Sequence, residues 1–365
     1  MRKQHWLALT LVVAALIACA FAYWWTGARK QDSNVLTYLP RDPTAVVYID
    51  VAALRQTTFL AQFAAWAPQP QKDPDYAQFL QDTGFDFERD LDHVAIAAVK
   101  FPYAPPSDHV PGGLVFIGEG RFDRKKITAY ALRKGKKFIV NGHEVISWPG
   151  GIDVAGPQIT FLSDRLVAMS AGTTTLPTDV LTATPKSFIG TGWQQRFDRL
   201  AGSPVFAVVR QDAGAALADK APGGFRSPQL SSLLDQLQWL TIAGKPEGDQ
   251  LRVVAEGECS SEATSHQLAD LLNGVVLLAQ TGLNDPKARQ QLSPEVRQAY
   301  LDLLKSADIS KLDRGDTKAV RLIFSVTPTF LEAARTSLPL APPPPPPDKP
   351  APRKTPAASP RKSGT

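Results

Sequence analysis

The longest uninterrupted run of apolar positions covers residues 6–25, which include no charged side chain. About 20 residues at roughly 1.5 Å each make a helix of about 30 Å, the thickness of a bilayer's hydrocarbon core. Trp6 stands at one end of the run and Trp24 and Trp25 at the other, and indole rings favour the headgroup level. The pattern therefore predicts a transmembrane anchor within residues 1–30.

Two other interpretations of this run stay open. Residues 16–19 resemble a lipobox, whose cysteine is lipidated after cleavage, so Cys19 is a candidate lipidation site. A cleaved secretory signal is the other alternative, although the apolar run is long and aromatic for one. Arg2 and Lys3 precede the run and favour a cytoplasmic N-terminus. An uncleaved anchor would then hold the body on the outer face of the membrane.

Beyond the anchor, strand-like and helix-like periods alternate in two similar halves, residues 31–190 and 191–337. Each half reads as strand, helix, strand, strand and helix. The predicted strands are residues 45–49, 94–99, 114–117, 205–209, 239–243, 251–255 and 320–326. Gly118-Glu119-Gly120 in the first half resembles Ala255-Glu256-Gly257-Glu258 in the second. We therefore predict an α+β fold of two diverged β-α-β-β-α units with antiparallel-rich sheets.

Local signals mark where helices and turns begin and end. Asp50, Asp123 and either Ser260 or Ser261 are expected to cap helices, and Asn141-Gly142 is expected to form a type I′ hairpin turn. Further expectations are a loose loop over residues 173–184, a helix from Ser227 to Leu237, a hairpin loop over residues 245–249, a turn at Arg314-Gly315-Asp316 and a last helical turn over residues 330–334. Tyr76, Phe79 and Leu80 are expected to face the core.

The C-terminal residues 338–365 cannot build a core. Six consecutive prolines at positions 342–347 predict a polyproline II rod, and the basic remainder is expected to be disordered. This tail would reach a partner such as the cell wall or another envelope protein.

The net charge of +5 arises in the flanks of the chain. Nine of the 40 lysines and arginines and one of the 35 acids lie beside the anchor or in the tail, so the body carries 31 bases and 34 acids. A slightly acidic body gives no reason to predict nucleic acid as a partner.

The sequence contains no recognisable catalytic, cofactor or metal motif, so none of these residues is predicted. Cys259 stands just before a predicted helix, which leaves a hydrolase or thiol-dependent enzyme as an alternative. A calcium site is a further alternative, built from acidic residues between two predicted elements: Asp82, Asp86, Glu88, Asp90 and Asp92.

A basic segment is the strongest candidate for ligand contact. Arg124, Lys125, Lys126, Lys136 and Lys137 lie close together in sequence. Each charge near an anionic lipid surface contributes roughly 1 kcal/mol. These five residues are therefore candidates for contact with a polyanion, and a solvated helix face is the alternative.

Two groups of residues resemble landmarks of bacterial membrane-anchored proteins of unknown function. The first is Leu39-Pro40 followed by Ala-Val-Val-Tyr-Ile-Asp at residues 45–50 and by Leu54-Arg55. The second is Thr83-Gly84-Phe85-Asp86 followed by Arg89-Asp90-Leu91-Asp92. The resemblance covers residues 36–260; it implies an envelope location and carries over no catalytic residue.

Together these features favour a single-pass protein of the inner membrane with its body in the periplasm, acting in binding or as a scaffold without catalysis. The alternatives are the envelope enzyme, the lipoprotein anchored through Cys19, and an inward-facing body whose proline rod recruits a cytoplasmic partner.

An alkaline phosphatase fusion after residue 340 tests this topology. Because the enzyme is active only outside the cytoplasm, we expect high phosphatase activity in cells expressing the fusion. Activity confined to a matched cytoplasmic reporter would contradict the outward orientation and favour the inward-facing body.

Overall fold

The computed structural model describes residues 34–58, 74–99, 113–149, 156–171, 176–182, 190–211 and 236–337. The predicted anchor, with Trp6, Cys19, Trp24 and Trp25, lies outside the described residues, as does the tail of residues 338–365. Among the helices that the structure describes, none has the length and apolar character to span a bilayer.

One antiparallel sheet organises the described residues. Its strands are β1 (Ala45–Asp50), β2 (Leu91–Val99), β3 (Gly113–Gly120), β4 (Lys136–Val140), β5 (His143–Ser147), β6 (Gln158–Phe161), β7 (Leu166–Ala171), β8 (Val205–Arg210), β9 (Leu237–Glu247), β10 (Gln250–Cys259), β11 (Asp308–Arg314) and β12 (Thr317–Val326). They follow the order β11-β12-β10-β9-β8-β1-β2-β3-β7-β6-β5-β4. Strands from both predicted halves therefore belong to a single sheet.

Helices lie before, between and after these strands. They are a 3-10 helix (Asn34–Tyr38), α1 (Val51–Arg55), α2 (Pro74–Thr83), α3 (Phe87–Asp90), α4 (Arg124–Ala131), α5 (Thr178–Leu181), α6 (Thr191–Leu200), α7 (Glu262–Asn284), α8 (Pro286–Gln291), α9 (Pro294–Lys305) and α10 (Pro328–Ser337). The α+β class is thereby confirmed.

The main hydrophobic core lies on one side of the sheet, which we call the core face. Because side chains alternate along a strand, Val46 and Tyr48 of β1 point to this face with their neighbours on β2, β3 and β8, and all are buried. The 3-10 helix, α5 and α6 cover it with Val35, Val180 and Trp193. This core contains residues from both predicted halves of the chain.

The opposite side, the cavity face, carries two separate helical layers. In the first half, Ile127 and Ala131 of α4 pack against Phe161 and Val167. In the second half, Leu268 of α7 packs with Val320 and other buried residues. The centre of this face is left more open, and Ile242 of β9 has 38% of its surface exposed.

Several local predictions are confirmed. Asp50, Asp123 and Ser261 each accept a hydrogen bond from a backbone N–H in the first turn of the helix that they cap. Asn141 and Gly142 have φ of 50° and 82°, the left-handed values that a type I′ turn requires.

Other predictions were wrong, mostly because tertiary contacts override local patterns. Leu237 begins strand β9 instead of ending a helix, and strand β11 was not foreseen. Residues 178–181 form a short helix that buries Val180 and Leu181 where a loose loop was expected. Leu80, expected in the core, is 36% exposed. The hairpin loop expected at residues 245–249 contains two residues, 248 and 249, because β9 continues to Glu247 and β10 begins at Gln250.

Two glycines offer a matched test of this packing. A Cβ on Gly120 would collide with the carbonyl oxygen of Asp90 and lie 3.1 Å from the Leu91 Cα. Gly274, inside α7, has no heavy atom within 4 Å of such a Cβ. We expect Gly120→Ala to lower the free energy of unfolding by about 1–3 kcal/mol and Gly274→Ala to raise it by up to about 1 kcal/mol. Urea unfolding followed by circular dichroism measures both changes, and equal effects of the two substitutions would contradict the close approach of β2 and β3.

Candidate functional site

The structure places the five predicted polyanion-contact residues on adjoining elements. Arg124, Lys125 and Lys126 form the exposed first turn of α4, and Lys136 and Lys137 begin the exposed strand β4. Glu144 of β5 connects the two groups: one carboxylate oxygen lies 3.1 Å from Lys137 Nζ and the other 3.9 Å from Arg124 Nη2.

The charges in this group are only partly compensated. Lys126 Nζ lies 3.6 Å from Asp123, its own helix cap. Lys125 and Lys136 form no ion pair with any residue in the described part of the chain. The group therefore keeps a positive balance at the surface, where a solvated anion could approach it.

Four of the five acidic residues considered for calcium are instead bound to arginines or backbone groups: Asp82, Asp86, Asp90 and Asp92. Asp82 pairs with Arg133 at 2.5 Å, and this hydrogen bond holds the pKa of Asp82 below its ordinary value. Asp90 pairs with Arg89 at 2.6 Å, which likewise lowers the pKa of Asp90. Within the residues that the structure describes, no group of three or more His, Cys, Asp or Glu residues could hold a metal ion.

Cys259 lies in an apolar environment that disfavours thiol chemistry. Its residue surface is 5% exposed, and it packs with Leu237, Leu268 and Val320. Burial raises the pKa of the Cys259 thiol, whereas a nucleophilic cysteine needs a lowered pKa. These surroundings give no support to the thiol-dependent alternative.

An apolar cavity of about 610 Å³ is the feature that the sequence did not reveal. It lies on the cavity face of the sheet, beneath α2 and α4, and is lined almost wholly by apolar groups. The residues that define its walls are Phe79, Phe85, Val94, Phe116, Phe122, Tyr130, Trp148, Phe161, Val167 and Met169. Its volume falls within the range of about 300–1,000 Å³ that is usual for small-molecule sites.

Two arginines lie against the aromatic walls of this cavity. The Arg124 guanidinium carbon is 5.5 Å from the centre of the Phe161 ring, and that of Arg133 is 5.3 Å from the centre of the Tyr130 ring. These distances are in the range of cation–π contact. The predicted polyanion-contact residue Arg124 thus belongs to the basic group and also lies on a ring that lines the cavity. We call Arg124 and Arg133 the basic rim.

The walls of the cavity come from separate helices, strands and loops that are spread over residues 79–171. Sequence patterns missed the cavity because these elements come together only in the folded chain. Aromatic residues are frequent in this part of the chain, which was the one available signal. A high aromatic content does not by itself distinguish a filled core from a hollow one.

A second unexpected feature is a buried charge cluster on the core face. Arg196 and Arg199 of α6 both donate hydrogen bonds to the carboxylate of Glu258 on β10, which is 2% exposed. The Arg196 guanidinium also lies 3.9 Å from the centre of a Trp239 ring. Burial lowers the pKa of Arg196, against the opposing effect of Glu258. These hydrogen bonds attach α6 to the sheet, so the cluster has a structural role.

A hollow of about 740 Å³ also lies between α8, α9 and α10. Its lining mixes apolar residues such as Leu292 and Val296 with Ser293, Glu295 and Glu332. The Ser293 hydroxyl already caps α9 by accepting a hydrogen bond from the Val296 N–H at 3.3 Å. This mixture of two carboxylates with apolar groups does not favour one class of ligand over another.

Comparison with known proteins gives little further information. No protein-family model matches the chain, and no curated protein matches its sequence. Two solved structures of TP0453 have some similarity to this chain. Crystal form III has a TM-score of 0.45 and 9% sequence identity, and the match covers 84% of this chain and 99% of that chain. Crystal form IV has a TM-score of 0.44 and 9% sequence identity, and the match covers 83% of this chain and 96% of that chain. At these scores the likeness transfers no function to this chain.

Proposed function

We propose that this chain is a membrane-tethered, extracytoplasmic binding protein of the bacterial envelope that accommodates the apolar part of an amphiphilic ligand. The observation that carries the proposal is the apolar cavity of about 610 Å³ beneath α2 and α4. No catalytic step is part of the proposal.

The cavity favours an apolar occupant for a simple physical reason. Water inside it would find almost no hydrogen-bonding partner on the walls, and dry apolar cavities bind apolar molecules. Moving an apolar group from water onto these walls releases about 25 cal/mol for each Å² of surface buried. An acyl chain or a similar hydrocarbon meets these requirements.

The basic rim adds a preference for an anionic headgroup. Arg124 and Arg133 lie on rings that form the cavity walls, so a ligand whose tail enters beside α4 would leave its headgroup near them. Lys125 and Lys136 lie on the neighbouring surface. The predicted polyanion contact is in this proposal the contact with a carboxylate or phosphate of the ligand.

The tether and the tail complete the proposed arrangement. The apolar run at residues 6–25 would hold the body at the periplasmic face of the inner membrane, where amphiphiles are abundant. A lipid on Cys19 would serve the same purpose in the lipoprotein alternative. The proline-rich tail from residue 338 onward would reach a partner at the cell wall or in another envelope protein.

We further propose that the body arose by duplication. In both halves, three consecutive strands are neighbours: β1, β2 and β3 in one, and β8, β9 and β10 in the other. A helix follows, and the last strand of each half, β7 or β12, then pairs with the third. This shared order supports a repeated unit, although only the first half contains the aromatic cavity.

Filling the cavity tests the proposed binding. Met169 lines the cavity and is 37% exposed, so Met169→Trp should occupy the space without disrupting the core. We expect the full-length protein, purified in mild detergent, to bind a dansyl-labelled fatty acid, and the variant to bind it on the order of tenfold more weakly, equivalent to about 1.4 kcal/mol. Fluorescence titration measures both affinities.

Ile242→Trp is the matched control for this substitution. Ile242 lies on the same face of the sheet with similar exposure, 38%, but does not line the cavity. Unchanged binding in this control, together with the loss in Met169→Trp, would support the cavity as the site. Equal losses in both variants, or no binding by the wild-type chain, would refute the proposal.

Neutralising the rim tests the headgroup preference. Because one charge near an anionic group contributes roughly 1 kcal/mol, we expect Arg124→Gln to weaken fatty-acid binding about fivefold. Binding of the corresponding fatty alcohol should remain unchanged. Lys287→Gln, an exposed substitution on α8, is the control. If Arg124→Gln weakened the binding of the fatty acid and of the fatty alcohol equally, the arginine would act only by packing against the ligand, and its charge would have no role.

A further inference from the structure

The two edges of the sheet differ in a way that the proposed ligand site does not explain. Edge strand β11 carries Asp308, Lys311, Asp313 and Arg314 among its seven residues, and charges of this kind discourage pairing with other strands. Edge strand β4 begins with Lys136 and Lys137 but continues with three consecutive apolar residues, and it is exposed along its whole length. Phe138 is 51% exposed and Ile139 is 65% exposed. Such an edge is a template for strand addition.

The hairpin fixes which backbone groups of β4 are available to a partner. Val140 and His143 flank the two-residue turn and face each other, and in such hairpins this pair is hydrogen-bonded. The pairs Phe138–Val145 and Lys136–Ser147 are then hydrogen-bonded as well. It follows that the N–H and C=O groups of Lys137 and Ile139 point away from the sheet.

We propose that β4 pairs with β4 of a second copy of this chain, antiparallel and with Phe138 opposite Phe138 of the partner. In this arrangement Lys137 of each copy exchanges two backbone hydrogen bonds with Ile139 of the other, which gives four bonds about a two-fold axis. The two phenylalanines form a non-hydrogen-bonded pair, the closer type of cross-strand contact.

The neighbouring registers are less favourable. Moving the pairing towards the N-terminus sets Lys137 against Lys137 of the partner, and directly opposed like charges are destabilising. Moving it towards the turn sets Ile139 against Ile139 but requires Lys137 to pair with Asn141. Asn141 has φ of 50° within the turn, so that second pair of bonds is lost. Only the register centred on Phe138 keeps four bonds without opposed charges.

Side chains and charges are compatible with this interface. Val145, which is 2% exposed and belongs to the main core, lies beside Phe138. The dimer therefore extends a row of apolar side chains across the axis. Lys136 lies opposite Val140 of the partner, so the two Lys136 residues are about 13 Å apart at the usual strand rise. This exceeds the Debye length of about 8 Å at physiological salt, so their repulsion is weak. The two Lys137 residues are closer, with Cα atoms about 8–9 Å apart, but each is paired with Glu144 of its own copy at 3.1 Å.

Cysteine crosslinking tests both the partner and the register. Opposed residues in a non-hydrogen-bonded pair have Cα atoms about 4.5 Å apart, within disulfide range. We expect Phe138→Cys in the full-length chain, oxidised in intact membranes, to form on the order of tenfold more disulfide-linked dimer than Ile139→Cys, whose Cα atoms would lie about 8–9 Å apart. The wild-type chain is the control, because any dimer that it forms must be linked through its own cysteines. Cys259 is buried, so such a dimer would report crosslinking through Cys19.

Each outcome decides the proposal. Dimers of Phe138→Cys at twice the mass of the chain support it. Stronger crosslinking of Ile139→Cys, a Phe138→Cys product with a different protein, or no crosslinked product would overturn it. These results do not depend on ligand binding, because Phe138 and Ile139 do not line the cavity.

A proline substitution separates backbone pairing from contact through side chains alone. Ile139→Pro removes an outward N–H while leaving the β4–β5 hydrogen bonds in place, so the chain should still fold. Added to Phe138→Cys, it should abolish the crosslink, whereas Ile139→Thr, which keeps the N–H, should not. Circular dichroism and thermal unfolding verify that both double variants are folded. A crosslink that persists with proline would overturn strand addition.

Discussion

The structure depends on one constraint, the alternation of side chains across a single antiparallel sheet. Because directly paired residues point to the same side, the register of β1 with β2 and β8 decides what each face can hold. One face buries Tyr48, Val46 and their neighbours under short helices. The other receives two separate groups of helices, and the cavity lies beneath the first of them. A shift of one residue would exchange these environments.

The same alternation separates two kinds of chemistry. Glu258 and its two arginines lie on the core face, where Arg196 and Arg199 are held by a carboxylate with almost no contact with water. The cavity lies on the opposite face and is almost wholly apolar. Charge inside the body is thus used to attach helix α6, while the basic residues of α4 and β4 stay at the surface. An anion approaching this side of the protein can therefore reach the basic residues of α4 and β4.

Local signals predicted what local physics determines. The caps at Asp50, Asp123 and Ser261 and the turn at Asn141 depend on a few adjacent residues, so the sequence sufficed. Leu237 shows the limit of this approach, because its apolar spacing suits a helix while its pairing with Cys259 makes it a strand residue. The cavity and the pairing of Arg196 with Glu258, 62 positions apart, depend on distant residues, and no periodicity in a short window reports them.

The central pairing of β1 with β8 has a consequence for how the chain acquires its structure. Ala45 of β1 pairs with Val209 of β8, so the middle of the sheet cannot close until more than half of the chain has been synthesised. Contacts between such distant residues slow folding. During that interval β1 has one unpaired edge, and unpaired edges invite aggregation. A molecular chaperone that shields residues 45–50 during biogenesis would therefore protect the chain during this interval.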